Sequence, residues 1–105
     1  MATEENLARQ RQIYGEPLAD IAGRIRRDLS LTQAGLAEVL GLSAPMMSQL
    51  LSGQRAKIGN PAVLGRLQAL IDLARQASRL TATQRAERLT AIKETTPTIS
   101  TSMHP

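Results

Sequence analysis

The chain has 105 residues, a length that suits one small domain with extensions and excludes a multidomain enzyme. It has no Cys and one aromatic residue, Tyr14, so disulfides and thiolate metal sites are excluded and the core must consist of aliphatic side chains. Leu, Ile, Met and Ala favour packed helices, which predicts an all-α fold, and the net charge of +4 suits a polyanionic partner such as nucleic acid.

The N-terminal residues 1–15 are predicted to form a helical arm. Residues 3–14 carry many charges and only a thin apolar stripe, made of Leu7, Ile13 and Tyr14. Both charge signs occur from the start and there is no apolar h-region, which argues against a secretory signal. The longest uncharged stretch, residues 39–54, is too short and too polar to span a bilayer. We therefore expect a cytoplasmic protein without a membrane partner, and the nucleic-acid partner that the net charge suits would make it nucleoid-associated.

The second predicted helix begins at Pro17, a residue that is well tolerated in a first turn. Apolar residues then recur at helical spacing, which predicts an amphipathic helix of about 12 residues. These residues are Leu18, Ile21, Ala22, Ile25 and Leu29. Arg24 and Arg27 lie on the opposite face, with Arg26 at its flank, and we expect them to be mainly solvated.

Two further helices are predicted to be joined by a three-residue turn. Either Ser30 or Thr32 can cap the first of them, and Gly41 can end it in a left-handed conformation. Ser43 is the expected N-cap of the next helix, about residues 44–52, which stops at Gly53. Their predicted buried residues are Leu36, Ala37, Leu40, Leu42, Met47, Leu50 and Leu51.

The C-terminal half is predicted to contain a basic loop and two more helices. Residues 54–59 form the loop, and Asn60 followed by Pro61 predicts the start of a long helix. Thr81 with Gln84 forms a capping-box pattern for a last helix that reaches about Glu94. Residues 95–105 are predicted to be disordered. The long helix has a wide apolar stripe of Val63, Leu64, Leu67, Leu70, Ile71, Ala74 and Ala77.

Residues 33–53, QAGLAEVLGLSAPMMSQLLSG, resemble the Cro/repressor-type (XRE-like) helix-turn-helix family of DNA-binding proteins. Ala37 is small where the two helices would cross, and Gly41 permits the turn. The similarity extends over residues 16–73. It implies a lambda-repressor-like, compact bundle of about five helices in residues 16–79, with helical extensions at both ends. In such proteins the second motif helix lies in the DNA major groove, usually in a dimer that binds two half-sites.

The resemblance also implies which residues contact DNA. Base contacts would come from Ser43, Ala44, Pro45, Met46 and Gln49, and phosphate contacts from Gln33, Ser52, Arg55 and Lys57. Gln49 can pair with an adenine edge through its amide, whereas Ala44, Pro45 and Met46 offer only apolar contacts, of the kind that thymine methyl groups accept. Direct base recognition is therefore expected to be sparse, with part of the specificity coming from DNA shape.

We therefore predict a sequence-specific transcriptional regulator that binds double-stranded DNA. No nucleophile with a base, metal-ligand cluster or Gly-rich phosphate loop is apparent, and the single His, His104, lies in the tail, so no enzymatic activity, cofactor or metal is expected. The alternative is a protein-interaction module, such as an antitoxin or adaptor, because the predicted recognition helix is uncharged.

A homodimer is predicted through residues 61–94, where Leu80, Leu89 and Ile92 add apolar surface to the long helix. In the alternative arrangement, the C-terminal helix of residues 80–94 folds back on its own chain. Any dimer then uses the N-terminal segment around Leu7, Ile13 and Tyr14.

Overall fold

A computed structural model describes residues 2–95, which form six α-helices and one 3-10 helix without any β-strand. The helices are α1 (Ala2–Tyr14), α2 (Leu18–Leu29), α3 (Gln33–Leu40), α4 (Ala44–Ser52), α5 (Pro61–Gln76), the 3-10 helix Ala77–Arg79 and α6 (Ala82–Lys93). The all-α prediction is confirmed. Residues 16–79 contain four α-helices and the 3-10 helix, where about five helices were expected, and α1 and α6 lie on either side of them. The predicted disorder beyond residue 95 lies outside the described residues. None of the helices in residues 2–95 combines the length and apolarity that crossing a membrane requires.

Side-chain caps set the starts of most helices. Thr32 caps α3, because its hydroxyl accepts a hydrogen bond of 2.9 Å from the Gly35 N–H. Ser30, the other candidate, instead takes a left-handed conformation with φ of 56° and ends α2. The remaining predicted caps also form, at Ser43, Asn60 and Thr81, the last as a complete capping box with Gln84.

The core lies between α2, α3, α4 and α5 and consists of aliphatic side chains. Leu36 and Leu70 have no solvent exposure, and Ile25 has almost none. Three core residues were not predicted. Val39 is buried on α3, Leu73 is buried on α5, and Ile58 is buried although the loop that contains it was expected to be polar. A single apolar residue in a loop has no periodicity to reveal it, so burial of Ile58 is decided by tertiary packing.

The last helix, α6, packs on α3 and α5 of its own chain. Its apolar side chains Leu89 and Ile92 lie against the core, together with Leu80, which precedes it. Lys93 forms an ion pair of 2.7 Å with Glu38 of α3. The chain therefore covers much of the apolar surface on which the predicted C-terminal dimer interface depended. The last helix thus folds back on its own chain, which is the first part of the alternative described above.

Candidate nucleic-acid interface

A connection of three residues, 41–43, sets the direction in which α4 leaves α3. Gly41 has φ of 84°, a conformation that favours glycine, and its N–H donates to the Ala37 carbonyl at 2.9 Å. The next N–H, of Leu42, donates to the same carbonyl at 2.9 Å. Ser43 then begins α4 by accepting a hydrogen bond of 3.2 Å from the Met46 N–H. Each of the three turn residues thus forms a hydrogen bond that restricts the backbone conformation of the turn.

The helix α4 has one buried side and one exposed side. Met47 and Leu50 are each only 3% exposed and hold the helix against the core. The exposed side carries small, uncharged residues: Ser43, Ala44, Pro45, Ser48 and Ser52. Gln49 is half-buried at the edge of this surface. Met46 is also half-buried and packs against the core, so it has less free surface for a base than the resemblance implied.

One polar residue of this surface, Ser48, was not predicted. It is exposed and lies four residues from both Ala44 and Ser52, which places all three residues on one face of the helix. This helical spacing could have predicted Ser48 as a further contact residue. Gln33, the first residue of α3, donates from Nε2 to the Ser48 hydroxyl at 3.5 Å. The structure thus places the predicted phosphate contact Gln33 directly beside the exposed side of α4.

The structure joins two other candidates, Gln49 and Arg55, in a direct contact. The Arg55 Nε donates to the Gln49 side-chain oxygen at 2.7 Å, and the Arg55 backbone N–H donates to the Gln49 carbonyl at 3.1 Å. Lys57 is exposed in the same loop. Within residues 2–95, neither Arg55 nor Lys57 forms an ion pair, so both positive charges are available to an external anion.

The loop is supported from behind by Gln10 of α1, which has no solvent exposure. Its Nε2 donates to the carbonyls of Leu50 and Arg55, both at 2.9 Å. Its Oε1 accepts from the Leu18 N–H at 2.9 Å. Gln10 therefore connects α1, the start of α2, the end of α4 and the loop. Sequence reasoning missed it, because a glutamine in a polar helix carries no signal of burial.

Other α1 residues reinforce the same contact. Asn6 donates to the Gly53 carbonyl at 2.9 Å, and the Tyr14 hydroxyl accepts from the Ile58 N–H at 2.9 Å. A Cβ at Gly53 would lie 2.9 Å from the Leu7 side chain, so this approach requires glycine. The N-terminal helix thus packs closely against the segment that presents Arg55 and Lys57.

The arginines of α2 are occupied by partners within the chain. Arg24 forms two hydrogen bonds with the Glu16 carboxylate, at 2.5 and 2.6 Å, and this interaction lowers the pKa of Glu16. Arg26 donates to the Leu31 carbonyl at 3.3 Å. Arg27 lies 3.8 Å from Asp28. These contacts leave the loop after α4 as the cationic part of the candidate interface.

The described residues contain no group of three or more His, Asp or Glu side chains placed to hold a metal ion. Comparisons with known protein families, with curated proteins and with solved structures find no match to this chain.

Proposed function

We propose that this protein is a sequence-specific transcriptional regulator that binds double-stranded DNA through a helix-turn-helix of the Cro/repressor type, formed by α3 and α4. The observation that carries the proposal is the exposed side of α4, which has no acidic side chain and borders the cationic loop residues Arg55 and Lys57. An α-helix fits the major groove, and a surface of small side chains permits close approach to base edges.

The proposed DNA contacts follow from this placement. Ser43, Ala44, Pro45, Ser48 and Gln49 lie towards base edges, with a smaller contribution from the half-buried Met46. Phosphate contacts come from Gln33, Ser52 and Lys57. Such contacts fix the position of the protein on the duplex but do not distinguish one base sequence from another. The net charge of +4 adds attraction that does not depend on sequence.

We further propose that the protein binds DNA as a homodimer, because a single half-site with few polar base contacts would bind weakly. Ile13 and Leu64 are the large hydrophobic residues that remain exposed in residues 2–95, at 47% and 37%. They line one depression together with Tyr14 and Ile71, and this surface is the proposed contact between copies. Sedimentation of the Ile13→Asp and Leu64→Asp variants tests it: both should be monomeric at concentrations where the unmodified protein is dimeric.

The function itself is tested by selecting bound sequences from random duplexes and then titrating the selected duplex at several salt concentrations. A defined sequence and a steep loss of affinity with salt are expected. Ser48→Glu should abolish binding, because it places a negative charge on the exposed side of α4. Ser78→Glu adds the same charge at an exposed position of the 3-10 helix and should bind normally.

Failure to enrich any duplex would refute the proposal. Salt-independent binding to a protein, blocked by Ser48→Glu and not by Ser78→Glu, would instead support the antitoxin or adaptor alternative.

A further inference from the structure

Resting on the proposed function, we infer that Arg55 is the principal base-recognising residue, that its preferred base is guanine, and that Gln49 is its positioning residue. The resemblance had placed Gln49 at a base and Arg55 at a phosphate, and the Gln49 amide had suggested adenine as the base. The hydrogen bonds between the two side chains and the two backbones are what reverse this assignment.

The contact between Gln49 and Arg55 determines which of their side-chain donors and acceptors remain free for a base. A glutamine recognises adenine by using both its side-chain oxygen and its side-chain nitrogen. In this protein the Gln49 oxygen already accepts the Arg55 Nε–H at 2.7 Å. The two terminal nitrogens of Arg55 have no hydrogen-bond partner in the part of the chain that the structure describes. They form a planar fork of donors, which matches the O6 and N7 acceptors of guanine.

The position of the Arg55 guanidinium also favours a base contact. An arginine in a loop can extend towards either backbone of the duplex, but the bond to Gln49 holds this one against α4, the helix proposed to enter the groove. The backbone of Arg55 is held as well, because its N–H donates to Gln49 and its carbonyl accepts from Gln10. A donor group that is already held in position loses less conformational entropy on binding. Lys57, in the same loop, has no such contacts in residues 2–95 and remains a phosphate contact.

The experiment compares duplex selections by the unmodified protein and by Arg55→Ala, Gln49→Ala, Gln49→Glu and Gln54→Ala. The unmodified protein should select guanine at one position of each half-site. Arg55→Ala should lose that preference, by about 5- to 150-fold in relative affinity for one good bidentate pair. Gln49→Ala should weaken the preference for the same guanine. A variant that carries both Arg55→Ala and Gln49→Ala should lose no more of this preference than Arg55→Ala alone.

Two variants serve as controls. Gln49→Glu should bind all duplexes more weakly, because it adds a negative charge that only Arg55 offsets, but it should keep the preference for guanine, because a carboxylate still accepts the Arg55 Nε–H. This variant therefore separates the positioning of Arg55 from a base contact made by the Gln49 amide. Gln54→Ala removes an exposed glutamine next to Arg55 in the chain and should change nothing.

The outcomes also separate this inference from the proposed function. Failure of the unmodified protein to bind any duplex refutes both. Salt-dependent, sequence-specific binding in which Gln49→Ala loses an adenine, while Arg55→Ala weakens all duplexes alike, refutes the inference and leaves the function standing. A second readout needs no DNA: the NMR signal of the Arg55 Nε–H should shift in Gln49→Ala and not in Gln54→Ala. An unchanged signal would overturn the assignment of Gln49 as the positioning residue.

Discussion

Replacing Gln10 with alanine should destabilise the protein more than its position in a polar N-terminal helix suggests. The side chain is fully buried and makes three hydrogen bonds of 2.9 Å. Truncation removes all three and leaves two carbonyls and one N–H, of Leu50, Arg55 and Leu18, without this partner. A hydrogen bond contributes about 1 kcal/mol net, and a buried group left unsatisfied costs about 1–3 kcal/mol. We expect a loss of about 3 kcal/mol in the free energy of unfolding.

Urea unfolding followed by circular dichroism measures this loss, and Gln12→Ala is the matched control. Gln12 lies on the same helix but is exposed, so its replacement should change stability by less than about 0.5 kcal/mol. The Gln10 variant should reach its midpoint at a lower urea concentration with the same slope. Its melting temperature should fall by on the order of 10–20 °C. Equal midpoints for the two variants would show that Gln10 does not connect the helices, and would refute the reasoning.

Other substitutions test the packing and the electrostatics. Ala37→Leu should cost about 1–3 kcal/mol of stability in thermal unfolding, because it overpacks a buried site on α3, whereas Ala34→Leu on the exposed side of that helix should cost little. Gly53→Ala should lower the urea midpoint, because φ is 85° and the added Cβ would lie 2.9 Å from a side chain of α1. An unchanged melting temperature for Ala37→Leu, or an unchanged urea midpoint for Gly53→Ala, would contradict the packing described here. The Lys93 ammonium, which donates a hydrogen bond to the Glu38 carboxylate, lowers the pKa of Glu38. The ion pair therefore stabilises the folded state at pH values above the unfolded-state pKa of Glu38, and this stabilisation is lost as the pH falls through the folded-state pKa. An NMR titration of Lys93→Gln should show the Glu38 pKa returning upward, and no change would mean that the ion pair does not form in solution.

The sequence by itself determined the local architecture. Ser43 and Thr81 each cap a helix by accepting a hydrogen bond from an N–H three residues ahead, so the cap and its partner lie in one short segment. For α3 the sequence narrowed the cap to Ser30 or Thr32, and the structure shows that it is Thr32. Gly41 ends α3 through carbonyls three and four residues back. The aliphatic composition required helices, and the period of the apolar residues indicated most of the core. Such interactions depend only on residues close together in the chain, which is why pattern reasoning finds them.

Only the tertiary structure decided how distant segments meet. The carbonyl partners of Gln10 lie 40 and 45 residues along the chain, and the Tyr14 hydroxyl bonds a residue 44 positions away. The same holds for Lys93 with Glu38, an ion pair between α6 and α3 whose partners are 55 residues apart in the chain. No periodicity marks a polar side chain whose burial depends on a partner from another helix. The contacts that support the proposed DNA-binding surface from behind are therefore properties of the folded chain.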